Sequence, residues 1–234
     1  MKTIIGTKQN VTKELTALVA DVLAHKPEAN IAVSVVDLPE EVLGALAKSD
    51  LAFDKATLFQ ACEYCGAAGK GVHAVGAAFQ VLTAAKPFAA VHAPDPDADA
   101  EHVADYDAAI QAAGGLDLVI LGLGERGHVA FNEPGAGFGE KTHIAKLAEV
   151  TREAAAPAFG SLEQTPEQGI TIGIHTILGA KKIVLVAFGA RCAKAVNATL
   201  TGRPETFTPA SFLQLHTDVE KVKTKLQKFI KKFK

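Results

Sequence analysis

At 234 residues, 48% hydrophobic and 21% charged, with a net charge of −2, the chain has the composition of an ordered globular protein large enough to bury one core. That charge excludes a general affinity for nucleic acid or an anionic membrane, and no run approaches the ~20 apolar residues of a membrane span. Three cysteines do not make a disulfide framework, which points to a reducing cytoplasm, and residues 1–6 are too short an apolar run for a cleavable leader.

Residues 11–25 carry Val11, Leu15, Leu18, Val19, Val22 and Leu23 at helical spacing, a face suited to packing on a sheet, and Pro27 ends the helix. Residues 31–36 read as a first buried strand, and 39–48 as the helix after it, with Pro39 in its first turn. A second short strand spans 57–61 and runs into Cys62, Glu63, Tyr64, Cys65 and Gly66. Residues 67–88 are rich in glycine and alanine and give no clear element. Residues 95–113 open on acids and proline and continue as a helix, the acids forming a solvated face and a favourable N-terminal charge.

The stretch 116–134, LDLVILGLGERGHVAFNEP, organises the rest. Residues 116–121 are apolar but for Asp117, too short for a helix and suited to a parallel strand buried on both faces. Gly122, Gly124 and Gly127 follow, where a missing Cβ lets the backbone turn and approach a bound group. Loops at the C-terminal edge of an open α/β sheet are where ligands usually sit. His128 lies in this loop and can exchange a proton near neutral pH, with Glu133 expected to orient its imidazole. The glycine spacing also fits the dinucleotide fingerprint, but residues 129–137 contain a proline and two more glycines where that motif needs a helix. No cofactor is therefore assigned.

Beyond the loop, 140–151 should cover the site and 152–168 should form a mobile or helical cap. A strand edge is expected at 171–177 and a strand at 183–187. Gly189 opens a turn before a helix at 191–200. At 219–234 a basic amphipathic helix carries Val222, Leu226, Phe229, Ile230 and Phe233 on one face among seven lysines. That face suits docking on the core; an acidic partner or membrane surface is the alternative. These elements suit a single α/β domain over 1–234.

LGLGERGHVAFNEPG resembles the signature of the glucosamine-6-phosphate deaminase/isomerase family, relatives of the 6-phosphogluconolactonases. The resemblance continues through HAPDPDADAEHVADYDAAI before it and ITIGIHTILGAKKIVLVAFGARCAKAV and FLQLH after it, with weaker matches back to about Phe53. It implies a doubly wound, mostly parallel, Rossmann-like sheet with helices on both faces. It also implies a small sugar or sugar-phosphate ligand, and an isomerase and ammonia-releasing hydrolase of aminosugar metabolism.

Residue by residue, the resemblance makes His128, Glu133 and Cys62 the catalytic positions and places Gly124, Arg126, Gly127, Asn132 and Cys192 around the ligand. A histidine at the position of His128 helps open the pyranose ring, assisted by Glu133 and by an aspartate whose place Arg126 takes. An arginine there should lower the imidazole pKa. At Cys62 the family has the aspartate that moves a proton between C1 and C2; a thiol could serve only as a stabilised thiolate. The family's phosphate-binding loop is glycine-rich where this chain has Val36 and Asp37, so phosphate should be repelled. Its phosphate-binding lysine falls at Cys192 and an arginine falls near Pro157, while Arg191 and Lys194 should leave their helix in other directions.

Two readings of function stand side by side: an isomerase/deaminase-like protein with altered catalytic and phosphate-binding positions, or a catalytically inactive, repurposed binding or regulatory protein. In the second, His128 and Glu133 hold the loop in shape. Cys62 and Cys65 form C-x-x-C, and with Cys192 and His128 could bind zinc or act in redox chemistry.

Overall fold

The computed structural model describes residues 2–6, 8–66, 74–99 and 101–216. In chain order these form β1 (Lys2–Gly6), α1 (Lys8–His25), β2 (Asn30–Val33), α2 (Glu40–Lys48), β3 (Thr57–Gln60), β4 (Cys62–Tyr64), α3 (Ala74–Thr83) and β5 (Ala90–His92). There follow α4 (Asp105–Ala112), β6 (Leu118–Gly122), β7 (His143–Lys146), α5 (Glu149–Phe159), β8 (Gln168–Thr171), α6 (Ile174–Leu178), β9 (Lys182–Phe188) and α7 (Ala193–Thr201). Short 3₁₀ turns at Ala190–Cys192 and Pro209–Leu215 flank α7.

Six strands pair in parallel in the order β1-β9-β6-β2-β3-β5. Alternate residues serve opposite faces, as the pleat requires. Leu118 and Ile120 of β6 join Val184 and Val186 of β9 beneath α1, α2 and α3, where Leu15, Val19, Val42, Leu46 and Phe79 are buried. Val119 and Leu121 face the other way, with Leu185 and Ala187, onto Tyr106, Ile110, Ile177 and Val196. The sheet is thus doubly wound, with helices on both faces. The chain builds outward from β2 toward β5 and then returns to build from β6 toward β1. β2 and β6, adjacent in the sheet, therefore mark the switch point where α/β sheets hold ligands.

A second sheet, order β4-β8-β7, is antiparallel and lies outside the elements the sequence pattern indicated. The stretch read as one strand at 57–61 instead ends at Gln60, and the chain crosses at Ala61 into β4. The cover expected at 140–151 is β7 and the start of α5. The strand edge expected at 171–177 ends at Thr171, and α6 begins at Ile174. The cap expected at 152–168 is helical as far as Phe159, with Pro157 inside its last turn, where it removes an amide donor two residues before the helix ends. Phe131, Tyr64, Val75 and Leu147 form the core beneath this second sheet. Among the described residues no helix is long and apolar enough to cross a membrane. The basic helix expected at 219–234 lies outside the described residues.

Candidate active site

β2, β6 and β9 are neighbours, and each delivers one side chain from the loop just beyond its C-terminal end: Asp37, His128 and Arg191. The Asp37 carboxylate lies between the other two. Its Oδ2 is 2.7 Å from His128 Nε2, and its Oδ1 is 3.7 Å from an Arg191 guanidinium nitrogen.

The glycines make this convergence possible. A Cβ on Gly122 would sit 2.3 Å from the Asp37 carbonyl carbon, and one on Gly124 would sit 2.1 Å from His128 Cε1. Gly122 therefore lets the β2–α2 loop press against the end of β6, and Gly124 supplies the bed for the imidazole. Gly127, at a φ of 82°, closes the turn by donating its amide to the Gly124 carbonyl. Their close approaches are to the chain itself. Asp37 is in the left-handed region at a φ of 55°, as is Ala130 at 52°, and neither is a glycine.

His128 is buried. Burial, the largest influence on its imidazole, favours the neutral form, but the Asp37 hydrogen bond and charge, with help from Glu133, outweigh it and raise the pKa above the ordinary value. The lowering expected from Arg126 is real but is the least of these influences, because Arg126 is exposed to solvent while Asp37 touches the ring. The imidazole's other nitrogen, Nδ1, is buried without a hydrogen-bond partner among the described residues.

Glu133 does not hold the imidazole as the sequence suggested. Its Oε1 accepts from the Thr151 hydroxyl at 2.5 Å and from the Ala148 amide at 3.3 Å, binding the loop to the start of α5, where helical amides favour a carboxylate. Glu133 Oε2 is buried and has no hydrogen-bond partner among the described residues, and the same is true of Asn132 Oδ1. Asn132 Nδ2 donates to the Val129 and Ile172 carbonyls, so this residue secures the loop.

The cysteines depart furthest from expectation. Cys62 is wholly buried in β4, its Sγ 3.8 Å from the Ser34 hydroxyl, and desolvation drives its thiol far above the range in which a thiolate forms. Burial therefore disfavours the thiolate that a proton-carrying role would need. Cys192 is turned inward, its thiol donating to the Leu123 carbonyl, and burial raises its pKa too. Cys65 lines a cavity of about 380 Å³ with Gly66, Lys146, Glu167 and Gln168, whose lining includes neither Cys62 nor His128. All three cysteines are free, and no group of three or more His, Cys, Asp or Glu among the described residues could hold a metal ion. The zinc grouping of Cys62, Cys65, Cys192 and His128 is therefore not formed: two thiols are packed into hydrophobic clusters, and the third lies at the far end of β4. Near Pro157, the guanidinium of Arg152 donates to the Leu162 and Thr165 carbonyls.

The Asp37–His128–Arg191 arrangement went unread in the sequence. The available signal was Asp37 in a strand-to-helix turn at the switch point, together with glycines able to bring a neighbouring loop close.

A doubly wound sheet with a His-bearing glycine loop at its switch point narrows the class to α/β proteins with a ligand site at the sheet's carboxyl edge. Residues 6–222 match the family of glucosamine-6-phosphate isomerases/6-phosphogluconolactonase, and the chain belongs to it. A glucosamine-6-phosphate deaminase of Clostridium botulinum is 32% identical over 227 residues, 92% of either chain. Among solved structures, a monomeric glucosamine-6-phosphate deaminase is 28% identical with a TM-score of 0.81, covering 94% of this chain and 95% of that one. A 6-phosphogluconolactonase from Thermotoga maritima shares the fold at 18% identity and a TM-score of 0.69, over 90% and 93%.

Proposed function

We propose that this protein binds an aminosugar or its phosphate at the carboxyl edge of the parallel sheet and opens the sugar ring with His128, as a divergent isomerase/deaminase. The observation that carries this reading is the 2.7 Å contact between His128 Nε2 and Asp37 Oδ2, which raises the pKa of a buried imidazole above its ordinary value and so favours its protonated form. Ring opening needs a proton delivered to the ring oxygen as its bond to C1 breaks, while the anomeric hydroxyl loses its proton. An imidazolium beside a carboxylate supplies both an acid and a base.

Isomerisation and ammonia release need a further proton taken from C2. The Cys62 position offers a buried, un-ionised thiol for that step, and lack of a positioned base costs a factor of about 10² to 10⁴ in rate. Slow turnover is therefore expected. The same thiol favours a second reading, in which the chain binds its ligand without turning it over. The ligand is a small sugar rather than nucleic acid or a membrane surface, residues 1–234 act as one unit, and three free thiols suit the cytoplasm.

The test is ammonia release from glucosamine and galactosamine, with and without the 6-phosphate, by the wild type and by His128→Ala. Slow release that disappears in the variant is expected. Release equal in the two proteins would discard His128 as the acid/base and leave the non-catalytic reading.

A further inference from the structure

We propose that Asp37 sets the ligand specificity of this site: its carboxylate fills, from within the chain, the seat between Arg191 and His128 that a ligand's anionic group would take, so an unphosphorylated aminosugar is selected over its phosphate ester. This rests on the aminosugar reading above and narrows it to a substrate class.

The geometry is that of a bound anion. One carboxylate faces two cationic groups from the loops beyond two other strands, with one oxygen hydrogen-bonded to the imidazole at 2.7 Å and the other in a longer ion pair, 3.7 Å, with the guanidinium. The local backbone brings it there. Asp37 adopts a left-handed φ of 55°, and its carbonyl carbon presses on the Cα of Gly122 so closely that any side chain at 122 would collide with it. Glu133, a buried carboxylate in the same loop as His128, is engaged with Thr151 and the start of α5, leaving Asp37 as the acid facing the imidazole Nε2.

The side chain of His128 is 8% exposed, that of Asp37 20% and that of Arg191 63%, so a ligand arriving from solvent meets Arg191 and Asp37 before the imidazole. A phosphate there would need Arg191 already paired to Asp37, and would set its own negative charge against the carboxylate. A hydroxyl or ammonium meets no such conflict. A carboxylate accepts about four hydrogen bonds, and Asp37 has acceptor positions left after His128 and Arg191.

The test is calorimetric titration of the wild type, Asp37→Ser and the near-isosteric Asp37→Asn with inorganic phosphate, glucosamine and glucosamine 6-phosphate. The wild type should bind glucosamine at least tenfold more tightly than its 6-phosphate. Both variants should bind inorganic phosphate at least tenfold more tightly than the wild type, and adding Arg191→Gln should remove the gain. A wild type that prefers the 6-phosphate overturns the assignment, as does unchanged phosphate affinity in whichever variant keeps the wild-type circular dichroism. If neither sugar binds but the variants gain phosphate, Asp37 stands as the occupant of the anion seat and the aminosugar reading falls.

Discussion

The two ends of the parallel sheet carry the same charges in different conditions. At the amino end, Asp117 precedes β6 and takes Lys26, from before β2, at 2.7 Å and Lys181, from before β9, at 2.8 Å, with the Asn30 amide as a third donor. At the carboxyl end the same three strands supply Asp37, His128 and Arg191. The amino-end cluster is satisfied: burial pushes the Asp117 carboxyl up, but Lys181, Lys26 and the Asn30 amide overcome it and hold the pKa below the usual carboxylate range. The carboxyl end keeps two non-glycine residues in left-handed backbone and leaves His128 Nδ1, Asn132 Oδ1 and Glu133 Oε2 buried without partners among the described residues. Strain and unspent polar atoms at the carboxyl end support the binding site proposed there; the saturated end is a clasp.

The largest expected effect separates the two ends. Asp117→Ala leaves the buried Asn30 amide without its acceptor and removes the partner of two lysines that solvent can still reach, and should cost about 2 to 3 kcal/mol in denaturant unfolding. Asp37→Asn should cost less than about 1 kcal/mol, because asparagine accepts left-handed backbone readily. Equal losses would make the carboxyl end a second clasp.

Gly124→Ala comes next. Its Cβ would fall 2.1 Å from His128 Cε1, so the imidazole must move; about 1 to 3 kcal/mol of stability should go, and with it the His128-dependent turnover. Wild-type turnover in that variant would show that the bed beneath the ring is dispensable.

The smallest effect is on pH dependence. The His128 pKa is raised in the folded state by Asp37 and Glu133 over the opposition of burial and Arg126. Its stabilising contribution is therefore complete below the ordinary imidazole range and lost as pH rises through the raised value. His128→Gln should flatten that part of the stability curve, and an unchanged curve would remove the imidazole from the account.

The sequence made the sheet legible where strands are buried on both faces, since an apolar run such as 118–122 or 183–187 has no other short solution. It hid the antiparallel sheet, because β4 has three residues and β8 and β7 have four each, too few to show a period. The glycine loop and His128 could be read directly, because close approach needs glycine. The contact between His128 and Asp37 could not, being 91 residues apart with no local pattern to record it. Cys62 misled for a related reason: its place in a motif says nothing of its desolvation, which only packing beneath β8 and β4 creates.

The most direct measurement is an NMR titration of the His128 imidazole in the wild type and in Asp37→Asn. The wild-type pKa should lie above that of a free histidine and should fall in the variant, where burial acts against a weaker opponent. A wild-type value at or below the free one, or one that Asp37→Asn leaves in place, would contradict the claim that Asp37 holds His128 poised as the acid of this site.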